Sequence, residues 1–219
     1  DSFFLFSIDL CFYTRSLFYG SFYDASGSFS CYESFAFMKL ILLDRDGVIN
    51  ADRPNSVKSR EEFVLLPGVI PAIKLLNKAA IPIAIVTNQA VVGRGELTEE
   101  GLEDIHTYFK EILKMEDAFI DKIYVCTSSD PQHSHRKPNP GLLLDALRDF
   151  KVSAHESLLI GDDLRDLQAA QAIQCPRILV RTGKGAQTLE KGLPEHVLPV
   201  IIFKDLYEAV SHVLDEKRC

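Results

Sequence analysis

From residue 38 onward the chain alternates between two hydrophobic periodicities. Short, almost wholly apolar runs recur at KLILLD (39–44), IAIVT (83–87), KIYVC (122–126), SLLIG (157–161) and RILVR (177–181). Each is rich in aliphatic or β-branched side chains, the pattern of parallel strands covered on both faces. Between these runs the apolar positions fall at helical spacing. Pro67-Gly68 precedes VIPAIKLLNKA, and Pro140 takes an early helical position in PGLLLDALRDF. Thr98 is placed to N-cap TEEGLEDIHTYFKEILK, whose Glu99 and Glu100 sit in the first turn, where the helix dipole favours acids. Alternating strands and helices predict a doubly wound, Rossmann-like α/β fold, a parallel sheet with helices on both faces.

The first 37 residues follow neither pattern. They hold nine of the fourteen phenylalanines, spread among Ser and Tyr. Asp9, Arg15 and Asp24 interrupt the apolar run too often for a membrane span, and a basic start expected of a secretion signal is missing. An extra aromatic hairpin is one reading. The preferred one treats 1–37 as a non-native or disordered extension and 38–219 as the domain, because Met38 opens MKLILLDRDG like a natural start.

In a doubly wound sheet, ligands gather at the carboxyl ends of the strands. The residues placed there are Asp44 with Asp46 just beyond, Thr87-Asn88-Gln89, the polar loop to Arg136-Lys137, and Gly161-Asp162-Asp163. Carboxylates clustered at the edge of an apolar core repel one another and lose hydration, so something must compensate them. A divalent cation does so, and hard oxygen ligands select Mg²⁺, expected on Asp44, Asp46 and Asp162. A carboxylate held beside such an ion and a lysine is arranged to receive a phosphoryl group. Asp44 is then the nucleophile and Asp46 the proton donor to the leaving oxygen. Thr87, Asn88 and Gln89 would bond phosphoryl oxygens, and Lys137 would hold their charge. Each piece has a plainer reading: a solvated turn for D-x-D, a surface lysine for Lys137, a helix cap for Asp166.

Composition narrows the partners. A formal net charge of −7 argues against a general nucleic-acid binder. Five scattered cysteines without C-x-x-C spacing indicate reduced thiols and a cytoplasmic setting. With 47% hydrophobic and 25% charged residues the chain is of ordinary soluble type, with no membrane partner expected. Arg53, Arg94 and Arg136 nonetheless place positive charge around the strand ends, suited to bidentate binding of a second anion.

DRDG, VTNQ, RKP and GDD, in that order, resemble the four motifs of the haloacid-dehalogenase-like phosphohydrolases, over about residues 39 to 209. Asp at the second acidic position marks the phosphatase branch of that superfamily. More narrowly, DRDGVIN, TNQAVVGRG, RKPNPG and LVRTGKG resemble the D-glycero-D-manno-heptose 1,7-bisphosphate 7-phosphatases and the related histidinol-phosphatases. That resemblance implies an essentially capless fold, a small phosphorylated sugar as substrate, and a substrate site that includes Asp52 and Arg53; a monomer is expected. Asp163 stands where some relatives carry lysine. The heptose phosphatases also carry a zinc loop with a C-x-H then C-x-C pattern; here the segment reads CTSSDPQHSHRKP. Cys126 matches a ligand, Ser128 replaces a histidine, and His133 and His135 replace cysteines. Zinc on Cys126, His133 and His135 is one outcome; a metal-free loop held by its own turns is the expected one. Histidinol phosphate, a phosphotransfer reaction and a catalytically idle binding module remain as alternatives.

Overall fold

The computed structural model describes residues 21–23 and 35–216. Six parallel strands carry the fold: β2 (Leu40–Leu43), β3 (Ile83–Asn88), β4 (Lys122–Cys126), β5 (Ser157–Gly161), β6 (Arg177–Val180) and β7 (Val200–Phe203). With β1 (Ser21–Tyr23) antiparallel at one edge, the sheet order is β1-β7-β6-β5-β2-β3-β4. The five apolar runs of the sequence become strands within a residue of their predicted ends. β7 was not foreseen: four apolar residues between Pro199 and Lys204 are too short to signal a strand alone.

The connecting helices are α1 (Val69–Lys78), α2 (Ala90–Gly93), α3 (Glu99–Met115), α4 (Gly141–Phe150), α5 (Leu164–Ala172), α6 (Gly185–Glu190) and α7 (Leu206–Glu216). Thr98 caps α3 by accepting from the Gly101 N–H at 3.0 Å. Strand alternation sorts the core into two layers. Ile41, Leu43, Ile83 and Ile85 face one side with Ile73 of α1, Phe109 of α3 and Val213 of α7. Leu40, Leu42, Ala84 and Val86 face the other with Leu143 of α4 and Ala170 of α5. All of these are buried, so β2 and β3 are covered on both faces, which is why they read as unbroken apolar runs.

Residues 44–68 pass from β2 to α1 without a helix, pinned by the bridges Asp46–Asn50 and Asn50–Leu65. Among the described residues no inserted domain covers the strand ends, as the capless expectation requires. The sequence division at Met38 falls beside tertiary contacts. Phe35 is buried in the core, its N–H donating to Glu216 at 3.2 Å, and Ser21–Tyr23 pair with Val200–Ile202. The expectation for the rest of 1–37 lies outside the described residues.

Candidate active site

Register brings the chemistry together. Leu43 pairs with Ile85 on one side and Ile160 on the other, and the Asp44 N–H donates to the Ile160 carbonyl at 3.0 Å. Asp44, Thr87 and Asp162 therefore leave three adjacent strands at one level. They line a cavity of about 180 Å³ together with Asp46, Asp52, Asn88, Arg94, Arg136, Lys137 and Lys184.

At its floor, oxygens of Asp44, Asp162 and Asp166 lie within 4.8 Å of one another. Lys137 reaches in from the loop after β4. Its buried ammonium meets Asp44 Oδ1 at 2.8 Å, Asp166 Oδ1 at 2.5 Å and the Val86 carbonyl at 2.8 Å, matching its three donors with three acceptors. Burial opposes the lysine's charge, but Asp166 and Asp44 outweigh it and raise the pKa above the ordinary lysine value. Asp166 also accepts from the Asp163 N–H at 3.1 Å, so it caps α5 and anchors the lysine at once. Asp163 is occupied by Arg165, at 2.8 Å.

Asp44 and Asp162 retain oxygens toward the cavity, and both are electrostatically unsettled. Burial pushes Asp44 up to about 7, partly countered by Lys137. Burial together with Asp44 and Asp166 pushes Asp162 up to about 8. Paired carboxylates with raised affinity for protons are equally suited to a hard divalent cation, so the donor set fits Mg²⁺. Two glycines make room for this arrangement. A Cβ on Gly47, at φ +90°, would come within 2.0 Å of Asp162 Oδ2, and one on Gly183, at φ +55°, within 2.1 Å.

Asp46 stands apart from that oxygen cluster. Its carboxylate is turned to Arg45 Nη2 at 2.8 and 2.9 Å, Asn50 Nδ2 at 2.8 Å and Gln89 Nε2 at 2.7 Å. Burial alone would raise its pKa; the Arg45 charge and these bonds prevail and hold it below the usual carboxylate range. Its expected place among metal-binding carboxylates thus finds no counterpart in the side chains, where Asp166 completes the trio. Gln89 bridges Asp46 and Thr87, donating to Thr87 Oγ1 at 2.9 Å. The Asn88 amide is spent on the Lys137 backbone, with two 3.0 Å bonds, so it positions the lysine rather than facing the cavity's centre.

The rim differs among its cations. Arg53 is paired with Glu62 at 3.1 Å and Arg94 with Glu96 at 2.6 Å. Lys184 lies 3.3 Å from Asp52 and 4.0 Å from Asp163, while its N–H donates to Asp162 at 2.7 Å. Arg136 donates one N–H to the Ser128 carbonyl at 2.7 Å and, among the described residues, has no carboxylate against it. Sequence reasoning passed over Arg45, His106 and Lys184; for Lys184 the TGKG segment was the available signal.

The possible zinc ligands do not converge. Cys126 Sγ is 3.7 Å from His133 Nδ1, but that nitrogen also accepts the His135 N–H at 3.2 Å, and His135 Nε2 faces Asp145 at 3.0 Å. Among the described residues the carboxylate trio is the group gathered for a metal ion.

A parallel sheet whose strand ends gather a buried aspartate bonded to a fully paired lysine, within a carboxylate trio, is the arrangement of a haloacid-dehalogenase-like phosphatase. Residues 134–209 match the HAD-hydrolase-like family model. The crystal structure of D,D-heptose 1,7-bisphosphate phosphatase from Bordetella bronchiseptica, complexed with magnesium and phosphate, superposes with a TM-score of 0.77 at 38% identity, covering 82% of this chain and 99% of that one. D-glycero-beta-D-manno-heptose-1,7-bisphosphate 7-phosphatase of Neisseria meningitidis is 38% identical over 183 residues, 82% of this chain and 96% of its own length. The Pseudomonas putida protein of the same name is 39% identical over 170 residues, 77% of this chain and 95% of its own. The chain belongs to the family of the D-glycero-D-manno-heptose 1,7-bisphosphate 7-phosphatases.

Proposed function

We propose that this phosphatase removes the 7-phosphate of D-glycero-D-manno-heptose 1,7-bisphosphate in the cytoplasm, using Mg²⁺ and an aspartyl-phosphate on Asp44. The observation that carries the substrate reading is Arg136. It lines the cavity without a carboxylate partner among the described residues, while Lys137 already serves the floor. One transferred phosphoryl group does not need both; a second anion on the same sugar does.

Asp44 and Asp162 are the carboxylates to hold Mg²⁺. When bound, the ion supplies Lewis acidity that offsets phosphoryl charge. Asp44 attacks phosphorus, the bond to the sugar oxygen breaks, and that oxygen takes a proton from Asp46. Arg45 keeps Asp46 ionised in the resting protein, so the proton must arrive on binding; a phosphate monoester, whose second pKa is about 6, brings one as its monoanion. In the second half, Asp46 takes a proton from the water that attacks the phosphorus of the intermediate, and Asp44 is released. Thr87 donates its hydroxyl to a phosphoryl oxygen, and Lys137, bonded to Asp44, offsets the phosphoryl charge through it.

The test is kcat/KM with Mg²⁺ on heptose 1,7-bisphosphate, the heptose monophosphate and histidinol phosphate. The bisphosphate is expected to lead, because remote binding energy is realised in the transition state. Equal efficiency on bisphosphate and monophosphate, or a preference for histidinol phosphate, would refute the substrate reading.

A further inference from the structure

Behind Asp46 lies a polar pair that the reaction itself does not use. Arg45 is fully buried, an unusual place for a guanidinium. Its Nη2 grips both oxygens of Asp46, and its Nε adds a 3.3 Å contact to Oδ1. Its carbon lies 6.0 Å from the centre of the Phe63 ring, which packs in turn on Phe109 at 5.3 Å. The remaining nitrogen, Nη1, is 3.3 Å from Nε2 of His106, a buried residue of α3.

Arginine donates and never accepts, so His106 must present a lone pair at Nε2 and carry its proton on Nδ1. Burial, reinforced by Arg45 and Lys110, pushes His106 down to about 3, which favours the neutral, accepting ring at neutral pH. A planar guanidinium tied only along one edge can still pivot about its stem. A third anchor on the opposite nitrogen fixes its plane, and with it the direction of the carboxylate it holds.

We propose that His106 is a positioning residue for proton transfer: by accepting the outer N–H of Arg45 it fixes the guanidinium plane and so aims Asp46 at the leaving oxygen. This rests on the reading of Asp46 as the acid–base group. Misplacing a reacting group by an ångström can cost about 10²-fold, which sets the scale of the effect.

The test pairs two amides with a hydrocarbon. The Gln amide reaches the place of His Nε2, whereas the Asn amide ends near Nδ1. His106→Gln therefore keeps an acceptor for Arg45, and His106→Asn and His106→Leu lose it. Each variant is assayed with Mg²⁺ on heptose bisphosphate, whose leaving alkoxide needs a proton, and on p-nitrophenyl phosphate, whose leaving phenolate does not. The readout is kcat/KM, which reports the steps through phosphoryl transfer.

His106→Asn and His106→Leu are expected to lose about 10-fold or more on the sugar phosphate and less than about 3-fold on the aryl ester, with His106→Gln near wild type. If His106→Leu does not fold, the Gln and Asn pair still decides. In an Asp46→Asn background a further change at His106 should have no added effect on the sugar phosphate. Equal losses on both substrates, no loss, or Gln no better than Asn would make His106 a packing residue and overturn the inference while leaving the role of Asp46 intact. If Asp46→Asn itself slows both substrates equally, the acid–base reading has failed, and this inference falls with it.

Discussion

The floor and the rim of the cavity carry similar residues but are built in different ways. At the floor, Asp44 and Asp162 leave adjacent strand ends, Lys137 reaches in from the loop after β4 and Asp166 from α5; all are mostly buried and bond to one another or to backbone. At the rim, Arg53, Arg94 and Lys184 are exposed by 44–45% and paired with acids that are themselves partly solvated. Buried charges must be matched at fixed geometry, because breaking one partner leaves an uncompensated charge. Exposed pairs contribute little to stability, are screened by salt, and exchange partners readily. Under the proposed function, the floor fixes what reaction is done, and the rim fixes which molecule is brought to it.

Substitutions can break that contrast in order of expected effect. Asp44→Asn removes the nucleophile and should lower kcat by at least about 10⁴-fold with the fold retained by circular dichroism. A folded variant of wild-type activity would end the floor's assigned role. Asp46→Asn should lower kcat/KM on sugar phosphates by roughly 10²-fold or more, the range of a lost general acid. An unchanged rate with a poor leaving group would exclude Asp46 as the acid.

The floor should also reveal itself in stability against pH. Unfolded, Asp44 and Asp162 release their protons near the ordinary value of 3.8; folded, they hold them to about 7 and 8. Between those limits the metal-free folded state binds more protons than the unfolded one. Its stability is therefore full below pH 4 as far as these groups are concerned, and falls as pH rises toward 8. Mg²⁺ replaces those protons, so its thermal stabilisation should be larger at pH 8 than at pH 5. At a hundredfold excess over Kd the gain is about 2.7 kcal/mol, on the order of 5–10 °C for a domain of this size. A magnesium shift independent of pH would contradict the account of the trio.

At the rim, Arg136→Ala should lower kcat/KM on the bisphosphate by roughly 10-fold or more and on the monophosphate far less, since a charge-assisted bidentate contact is lost. Arg94→Ala should change either by less than about 3-fold, because its charge is already shared with Glu96 in solvent. A larger effect for Arg94 than for Arg136 would reverse the assignment of the second anion's receptor.

The same contrast explains what the sequence made legible. Strands buried on both faces appear as unbroken apolar runs, and the polar residues that end them stand out, so the sequence alone points to Asp44, Thr87 and Asp162, and to Lys137 in the polar loop after the third run. Asp166 was harder, because a residue three places past a helix cap reads equally as capping box or site; here it serves as both. Pairings across the fold left no trace in the pattern. His106 sits 61 residues from Arg45, where it looks like one more residue of an amphipathic helix. The rim pairs Arg94–Glu96 and Lys184–Asp52 depend on loop paths that no periodicity encodes.

The covalent step on Asp44 is the centre of the account, and it is open to direct trapping. In Asp46→Asn, radiolabelled p-nitrophenyl phosphate can still phosphorylate Asp44, since its leaving group needs no proton, while the water step lacks its base. Acid quench during turnover, followed by peptide mapping, should find the phosphoryl label on the peptide bearing Asp44 and none in Asp44→Asn. Phosphate release with no enzyme-bound label, or label on a different residue, would contradict the mechanism.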